Sequence, residues 1–348
     1  MQPTLQRLLS GAHLSADEAA LAMTAVMDGA ATPAQIAGLL TALRMKGETV
    51  DEITGFARVM REKAVRVTTK RTPLVDTCGT GGDALKTFNI STTAAFVVAG
   101  AGVGVAKHGN RSVTSKCGSA DVLEALGVRL DLSPEAVGRC IDAVGIGFLF
   151  ARSHHPAMKH AAPVRAELGF RTVFNALGPL TNPAGATRQL IGVYDAALCE
   201  PLARALGNLG AEHVLVVHGG PGLDEVATFG ETTVAEFRGG EVRAYALTAR
   251  DLGLEEADPA SLAPGEDTAA SADLLRTVLD GAQGPRRDIV LANAGAALYV
   301  AGVAETLREG MAQAARAIDS GEARKRLDAL IACTRDEAEQ QQQQGQAS

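Results

Sequence analysis

The sequence predicts an α/β protein, with a small all-helical N-terminal domain followed by a larger α/β domain built on a mostly parallel central sheet. Three observations carry this. The first ~65 residues hold capped segments with apolar residues recurring at three and four, and no strand signal. From "KRTPLVDTCG" onward, short apolar runs alternate with helical segments, the pattern of a parallel sheet. With 348 residues, 46% hydrophobic and 21% charged, the chain is long and apolar enough for a sizeable core.

In chain order, "SADEAALAMTAVMDG" opens with a capping box, Ser15 and Glu18, and stops at Gly29. "TPAQIAGLLTALRMKG" has Thr32 as cap, Pro33 at the first helical position and Gly47 as its stop. "TVDEITGFARVMREKAV" begins on a second box, Thr49 and Glu52. Strands are expected at "PLVDTC", "VGVAKHG", "GIGFLFA", "RQLIGVYD" and "HVLVVHGG". "TTVAEFRGGEVRAYAL" reads as a hairpin turning at Gly239-Gly240, and the chain is helical again from "SADLLRTVLDG". The boundaries are 1–70 for the helical domain and 71–335 for the α/β domain. The polar tail, 336–348, ends in "EAEQQQQQGQAS" and is expected to be disordered.

Composition removes several function classes. A net charge of -7 without a long basic run argues against nucleic acid or a membrane surface as the main partner. Aromatics at 3% leave few stacking platforms. Five widely spaced cysteines with no CxxC weigh against disulfides and structural zinc, and together with the lack of a signal-peptide run they predict a cytoplasmic protein.

Four stretches can carry chemistry. "VDTCGTGGDALKTFNIST" places a glycine loop between a strand and a helix start, where bare amides and the helix dipole attract anions. It is not a Walker loop, because Leu85 stands where the second glycine should be. A dinucleotide fingerprint is formally met by Gly79, Gly81 and Ala84, but no acid follows at the ribose distance; the next is Asp121. A bare turn is also a poor reading, given Asp83, Lys86, Thr87, Asn89, Ser91 and Thr92. "KHGNRSVTSKCGSADVLEALG" brings Lys107, His108, Arg111 and Lys116 together with Ser112, Thr114, Ser115 and Ser119, a second anion loop. Two such loops suggest a substrate with phosphates at both ends. In "GLDEVATFG" the adjacent Asp224 and Glu225 can hold magnesium, which prefers oxygen ligands. In "HHPAMKHAAPVRAELGFRTVFNALGPLTNPAG", His154, His155 and His160 match no common zinc spacing, and Arg165 sits on a helix where it can face a carboxylate.

With these stretches in hand, the chain closely resembles the anthranilate phosphoribosyltransferases of tryptophan synthesis. The resemblance rests on "GTGGD", "TFNIST", "KHGNR", "SKCGSADVLEALG", "HHPAMKHAAPVR", "FNALGPLTNPA", "GLDEV" and "NAGAALYVAG", in the family's order. Departures are small: Ala84 where many members have glycine, changes at Ser112 and Thr114, and Ala227 for the commoner serine. The resemblance implies a nucleoside phosphorylase/phosphoribosyltransferase-like fold, in which helices near 165–190 join the N-terminal domain, and a homodimer formed through that domain. It implies transfer of a phosphoribosyl group from phosphoribosyl pyrophosphate to the amine of anthranilate, in an Mg2+-dependent reaction with two ions per monomer.

Carried onto this sequence, the resemblance implies that Gly79, Gly82, Asp83, Thr87, Asn89, Ile90, Ser91 and Thr92 meet phosphoribosyl pyrophosphate. Lys107, His108, Gly109, Asn110, Arg111, Ser112, Val113, Thr114, Ser115 and Ser119 close over it. Ser91, Asp224 and Glu225 would hold the magnesium. Gly79, Asn110, Arg165, His108, His155 and Gly178 would surround anthranilate. Lys107, His108 and Arg165 are the groups implied nearest the reaction itself. The pyrimidine nucleoside phosphorylases, similar in architecture and in the glycine and lysine loops, are the alternative within enzymes. A non-catalytic nucleotide- or nucleic-acid-binding relative is the alternative outside them. The resemblance leaves open a separate glutamine amidotransferase of anthranilate synthase as a partner.

Overall fold

Four helices come first in the computed structural model, which describes residues 1–82, 85–112, 117–220 and 222–346. They are α1 Gln2–Leu9, α2 Ala16–Met27, α3 Pro33–Lys46 and α4 Val50–Lys63. Reciprocal capping boxes open three of them, at Ser15/Glu18, Thr32/Gln35 and Thr49/Glu52. Glu52 is also buried, where it accepts the Leu14 amide at 3.0 Å and pairs with Lys46 at 2.9 Å. One carboxylate thereby ties the loop before α2, the end of α3 and the start of α4 together.

The α/β part follows as β1 Leu74–Gly79, α5 Ile90–Gly100, β2 Gly104–Gly109, α6 Ser119–Leu126, α7 Pro134–Val144 and β3 Ile146–Phe150. Short helices α8 Ala151–His154, α9 Ala162–Leu168 and α10 Val173–Leu177 lead to β4 Arg188–Gly192. Then come α11 Cys199–Asn208, β5 His213–Gly219, β6 Glu231–Arg238 and β7 Glu241–Thr248. The chain closes with α12 Thr268–Leu279, α13 Pro285–Ala301, α14 Leu307–Asp319 and α15 Glu322–Gln346. Pro156–His160 forms a 3-10 turn.

All seven strands form one sheet in the order β3-β2-β1-β4-β5-β6-β7. Pairing is parallel from β3 to β5 and antiparallel for β6 and the β6–β7 hairpin. The chain winds outward from β1 to β3 in one direction and from β4 onward in the other. The topological switch point therefore lies between β1 and β4, and the crevice beyond their carboxyl ends is where such sheets bind ligands.

Strand side chains alternate between two cores, as a period of two requires. Val75, Leu190, Leu215 and Val217 face the core built with α5–α7 and α12–α15. Cys78, Ile191, Val214 and Val216 face the other, which they share with α1–α4 and with Ala161, Val164, Phe174, Leu177 and Leu202. The N-terminal helices thus share one continuous apolar layer with the second sheet face and the 161–180 segment.

The tail differs from expectation. Instead of disorder from residue 336, α15 continues to Gln346. Glutamine and glutamate are good helix formers. The helix is also anchored past its middle: Arg139 grips Glu337 with two bonds of 2.8 and 2.5 Å, and Ala338 is buried.

Candidate active site

β1 and β4 run side by side, and both end in glycine, Gly79 and Gly192. A side-chain carbon on Gly192 would lie 1.5 Å from the Asp224 carbonyl oxygen, and one on Gly79 would lie 2.5 Å from Asp224 Oδ2. Only bare backbone lets the 222–226 loop lie across the strand ends at the switch point. Past Gly79, the Thr80 amide bonds the Gly192 carbonyl at 2.9 Å, and the Gly81 amide donates to Asp224 Oδ2 at 2.8 Å. Gly81 and Gly82 have φ of 65° and 73°, the left-handed region that disfavours a side chain.

Helix α5 then starts without a side-chain cap. Asn89, at the cap position, sends its amide to the Cys117 carbonyl at 3.2 Å instead. The Ser91 amide is met by Glu225 Oε1 at 3.0 Å. Two consecutive carboxylates therefore sit on the glycine loop and on the positive end of α5, where an anion is stabilised. The Ile90 side chain is in the core and its amide bonds the Phe88 carbonyl at 2.7 Å. Thr92 is buried, and Thr87 is half-buried at the loop's end.

Beneath this loop lies Lys107, buried on β2. Its amine donates to the Thr77 carbonyl and, at 3.4 Å, to Ser91 Oγ. Burial lowers its pKa, while the negative charges of Asp76, Glu225 and Asp224 support its protonated form. Asp76 is fully buried as well: burial pushes its carboxyl up, and Lys107, Asn182 and the His108 amide hold it down. Asp76 accepts from the His108 amide at 3.0 Å and from Asn182 Nδ2 at 2.8 Å.

Next to Lys107, the His108 and His155 rings lie 5.2 Å apart, both buried, and the Nε2 atom of each has no partner among the described residues. His108 engages the Gly178 backbone and His155 that of Thr181. Burial holds His108 well below the ordinary histidine value, and His155 is lowered to about 4 by the same cause. Both rings are neutral at physiological pH. The unfolded chain takes up a proton near pH ~6.5, so this contribution to stability is lost as pH falls from ~6.5 toward the folded value. The expected slope is about 1.4 kcal/mol per pH unit for each ring. Denaturant unfolding between about pH 7 and pH 5 should show a flatter slope in His155→Asn than in the parent.

The second loop gives a mixed result. Gly109 packs against Ser119, whose hydroxyl bonds the Asn110 carbonyl at 3.2 Å. Asp121 Oδ2 accepts the Ser112 and Gly118 amides at 3.1 and 2.9 Å. Arg111, read from sequence as a cation facing a phosphate, pairs with Asp121 at 2.9 Å and Glu124 at 2.8 Å, and its guanidinium lies over Phe150. Arg165 is half-buried on α9 with its guanidinium 5.2 Å from the centre of the Phe174 ring. Burial lowers its pKa. His154 bonds the Val65 carbonyl at 3.1 Å, joining α8 to the end of the helical domain. Asp83, Val113, Thr114 and Ser115 lie outside the described residues, as do Ala84, Lys116 and Pro221.

Sequence reasoning passed over Asp76, Asn182, Arg171 and Tyr194. An aspartate in the middle of an apolar strand, "LVDTC", was the available signal for Asp76. Nothing local marked the others.

Among the described residues, no helix is long and apolar enough to cross a membrane, and no group of three His, Cys, Asp or Glu side chains forms a metal cluster. Residues 2–64 match the glycosyl transferase family's helical bundle domain, and residues 71–324 match that family's a/b domain. The anthranilate phosphoribosyltransferase of Symbiobacterium thermophilum is 59% identical over 330 residues, covering 95% of this chain and 96% of the relative. That of Moorella thermoacetica is 57% identical over 332 residues, covering 95% and 98%. Among solved structures, anthranilate phosphoribosyltransferase from Thermus thermophilus superposes with a TM-score of 0.90 at 48% identity, covering 95% of this chain and 99% of that one. The Saccharomyces cerevisiae enzyme in complex with PRPP and Mg gives 0.85 at 28% identity, covering 96% and 98%.

Proposed function

The chain belongs to the glycosyl transferase family whose helical-bundle and a/b domains it matches in turn, and from that membership and the cleft's geometry we propose that it is an anthranilate phosphoribosyltransferase. It transfers the phosphoribosyl group of 5-phosphoribosyl 1-pyrophosphate to the amine of anthranilate and releases pyrophosphate. The observation that carries the reading is the pair Asp224–Glu225, bonded to the Gly81 amide and to the first-turn Ser91 amide at the switch point. Relatives named for this transferase support it over the phosphorylase alternative.

The donor set of Asp224, Glu225 and the Ser91 hydroxyl consists of hard oxygens only, which suits magnesium, and we assign two ions per protomer to it. Magnesium held there would supply positive charge that stabilises the departing pyrophosphate. The chain's own residues do the rest. Amides of the glycine loop and of α5 other than those of Thr80, Gly81, Ile90 and Ser91, which are already bonded, bind oxygens that gain charge as the bond from the anomeric carbon to pyrophosphate breaks. Lys107 adds a fixed cation below the loop. We assign Gly79, Gly82, Asp83, Thr87 and Asn89 to Thr92 to the pyrophosphate end, and Lys107 to Ser115 with Ser119 to its closure.

The acceptor pocket is assigned to His108, His155, Gly178, Asn110, Gly79 and Arg165. An aromatic amine has a free lone pair at neutral pH, so the nucleophile needs no strong base. After the C–N bond forms, the amine nitrogen sheds a proton. Neutral His108, with Nε2 unpartnered among the described residues, can take it. Arg165 pairs with the carboxylate of anthranilate. Arg165→Ala should raise the anthranilate KM by about 10- to 100-fold, the loss of one charge-assisted bond, and leave the phosphoribosyl pyrophosphate KM alone. Steady-state titration of each substrate decides this, and an unchanged anthranilate KM removes Arg165 from the pocket.

The reading as a whole is tested by mixing protein, magnesium, phosphoribosyl pyrophosphate and anthranilate and following loss of anthranilate fluorescence. No loss, with turnover of thymidine and phosphate instead, transfers the assignment to the phosphorylases. We also propose a homodimer through the helical domain, where Leu9, Leu21 and Met45 are 78%, 72% and 85% exposed. Sedimentation velocity should give a dimer that Leu9→Glu with Met45→Glu converts to monomer; a monomeric parent refutes it. All five cysteines are free, which fits a reducing compartment, and we place the enzyme in the cytoplasm.

A further inference from the structure

We propose that Arg171 is a positioning residue that clamps the glycine loop from outside, and through that loop sets the affinity for the pyrophosphate end of the substrate. The inference rests on the functional reading above for the substrate, but its geometry stands by itself.

Gly81 and Gly82 carry no side chains, and both are in the left-handed region. Nothing within such a loop fixes its shape, so its order must come from neighbours. Two of them hold its first half: Asp224 takes the Gly81 amide at 2.8 Å, and the Thr80 hydroxyl takes the Tyr194 amide at 3.1 Å. The second half is held by Arg171, in the link between α9 and α10, which donates from Nη2 to the Gly82 carbonyl. The fit is close, since a side-chain carbon on Gly82 would lie 3.0 Å from Arg171 Nη2.

The guanidinium is itself supported. It lies over the Tyr194 ring, 4.2 Å from the centroid. Tyr194 lies two residues past the end of β4 and its amide is bonded to Thr80, so ring and loop are both fixed to the switch point. Glu48 and Arg44 of the helical domain and Asp195 are the other charges acting on Tyr194. Stacking and donating at once is a property of a planar guanidinium that a lysine ammonium lacks.

Arg171 is exposed, so its replacement is compatible with folding. The test uses the full chain as parent, Arg171→Ala, Arg171→Lys, Tyr194→Phe and Tyr194→Leu. Magnesium with phosphoribosyl pyrophosphate, and with inorganic pyrophosphate, is titrated calorimetrically. Arg171→Ala should weaken both by about tenfold and raise the phosphoribosyl pyrophosphate KM to match, with the anthranilate KM and the ligand-free melting temperature unchanged. Arg171→Lys should recover little. Tyr194→Phe, which keeps the ring, should behave as parent, and Tyr194→Leu should resemble Arg171→Ala. Parent-like affinity in Arg171→Ala, or equal damage from Tyr194→Phe and Tyr194→Leu, overturns the clamp. Amide hydrogen exchange of the ligand-free peptide covering Val75–Gly82 separates the two levels. It should quicken in Arg171→Ala whether or not the substrate is as assigned, and unchanged exchange overturns the clamp alone. A parent that binds no phosphoribosyl pyrophosphate overturns the functional reading alone.

Discussion

Replacing Asp224 with alanine is expected to lower kcat/KM for phosphoribosyl pyrophosphate by about 10²- to 10³-fold, with only partial recovery in excess magnesium. Two effects combine. The first is loss of a negative oxygen ligand, which weakens magnesium affinity and can be offset by concentration. The second is release of the Gly81 amide, bonded to Asp224 Oδ2 at 2.8 Å, which added magnesium cannot restore. Asp224→Asn separates them. Its side-chain carbonyl still accepts from Gly81, but the charge is gone. If the metal dominates, Asp224→Asn should be nearly as slow as Asp224→Ala and should recover more fully as magnesium is raised. If the loop dominates, Asp224→Asn should be close to parent at any magnesium concentration. Direct titration of magnesium into the protein supplies a readout independent of turnover. Parent-like rates in Asp224→Ala would remove this carboxylate from the site.

What was legible in the sequence was whatever depends on neighbours along the chain. Capping boxes, the Gly239-Gly240 turn and the alternation of apolar runs with helices are local, and each appears where its residues place it. The glycine loop was legible for the same reason: strand, glycines and helix start are contiguous. Long-range geometry was not. Asp76 and Asn182 are 106 residues apart, and only the sheet brings them to 2.8 Å. Arg171 is 89 residues from the carbonyl it holds. Gly192 reads as an ordinary strand end until the 222–226 loop is seen lying on it. Arg111 shows the opposite failure. Its charge suggested an anion, yet Asp121 and Glu124 within the same stretch already neutralise it. The glutamine tail was misjudged because composition says nothing of the Arg139–Glu337 pair that carries α15 past its apolar stripe.

Asp76→Ala should be the most destabilising single change in the site, by about 2–6 kcal/mol, because it leaves two buried donors without their acceptor at about 1–3 kcal/mol each. The carboxylate is completely inaccessible and accepts from the His108 amide and Asn182 Nδ2. It is also the largest electrostatic support for the buried Lys107 ammonium. With alanine there, Lys107 keeps the Thr77 carbonyl and Ser91 hydroxyl but loses its main counter-charge. Two buried donors lose their acceptor at the same time. The loss falls on adjacent residues of β2, so Lys107 and His108 should shift together, and any surviving folded protein should bind phosphoribosyl pyrophosphate poorly. Asp76→Asn keeps volume and one acceptor, and should cost less. The decisive comparison is the double variant Asp76→Ala with Lys107→Met. If unpaired charge is the main cost, removing the ammonium should return ~1–3 kcal/mol in denaturant unfolding, a coupling expected only for groups in one network. Strict additivity of the two single losses would mean that Asp76 acts through its hydrogen bonds alone.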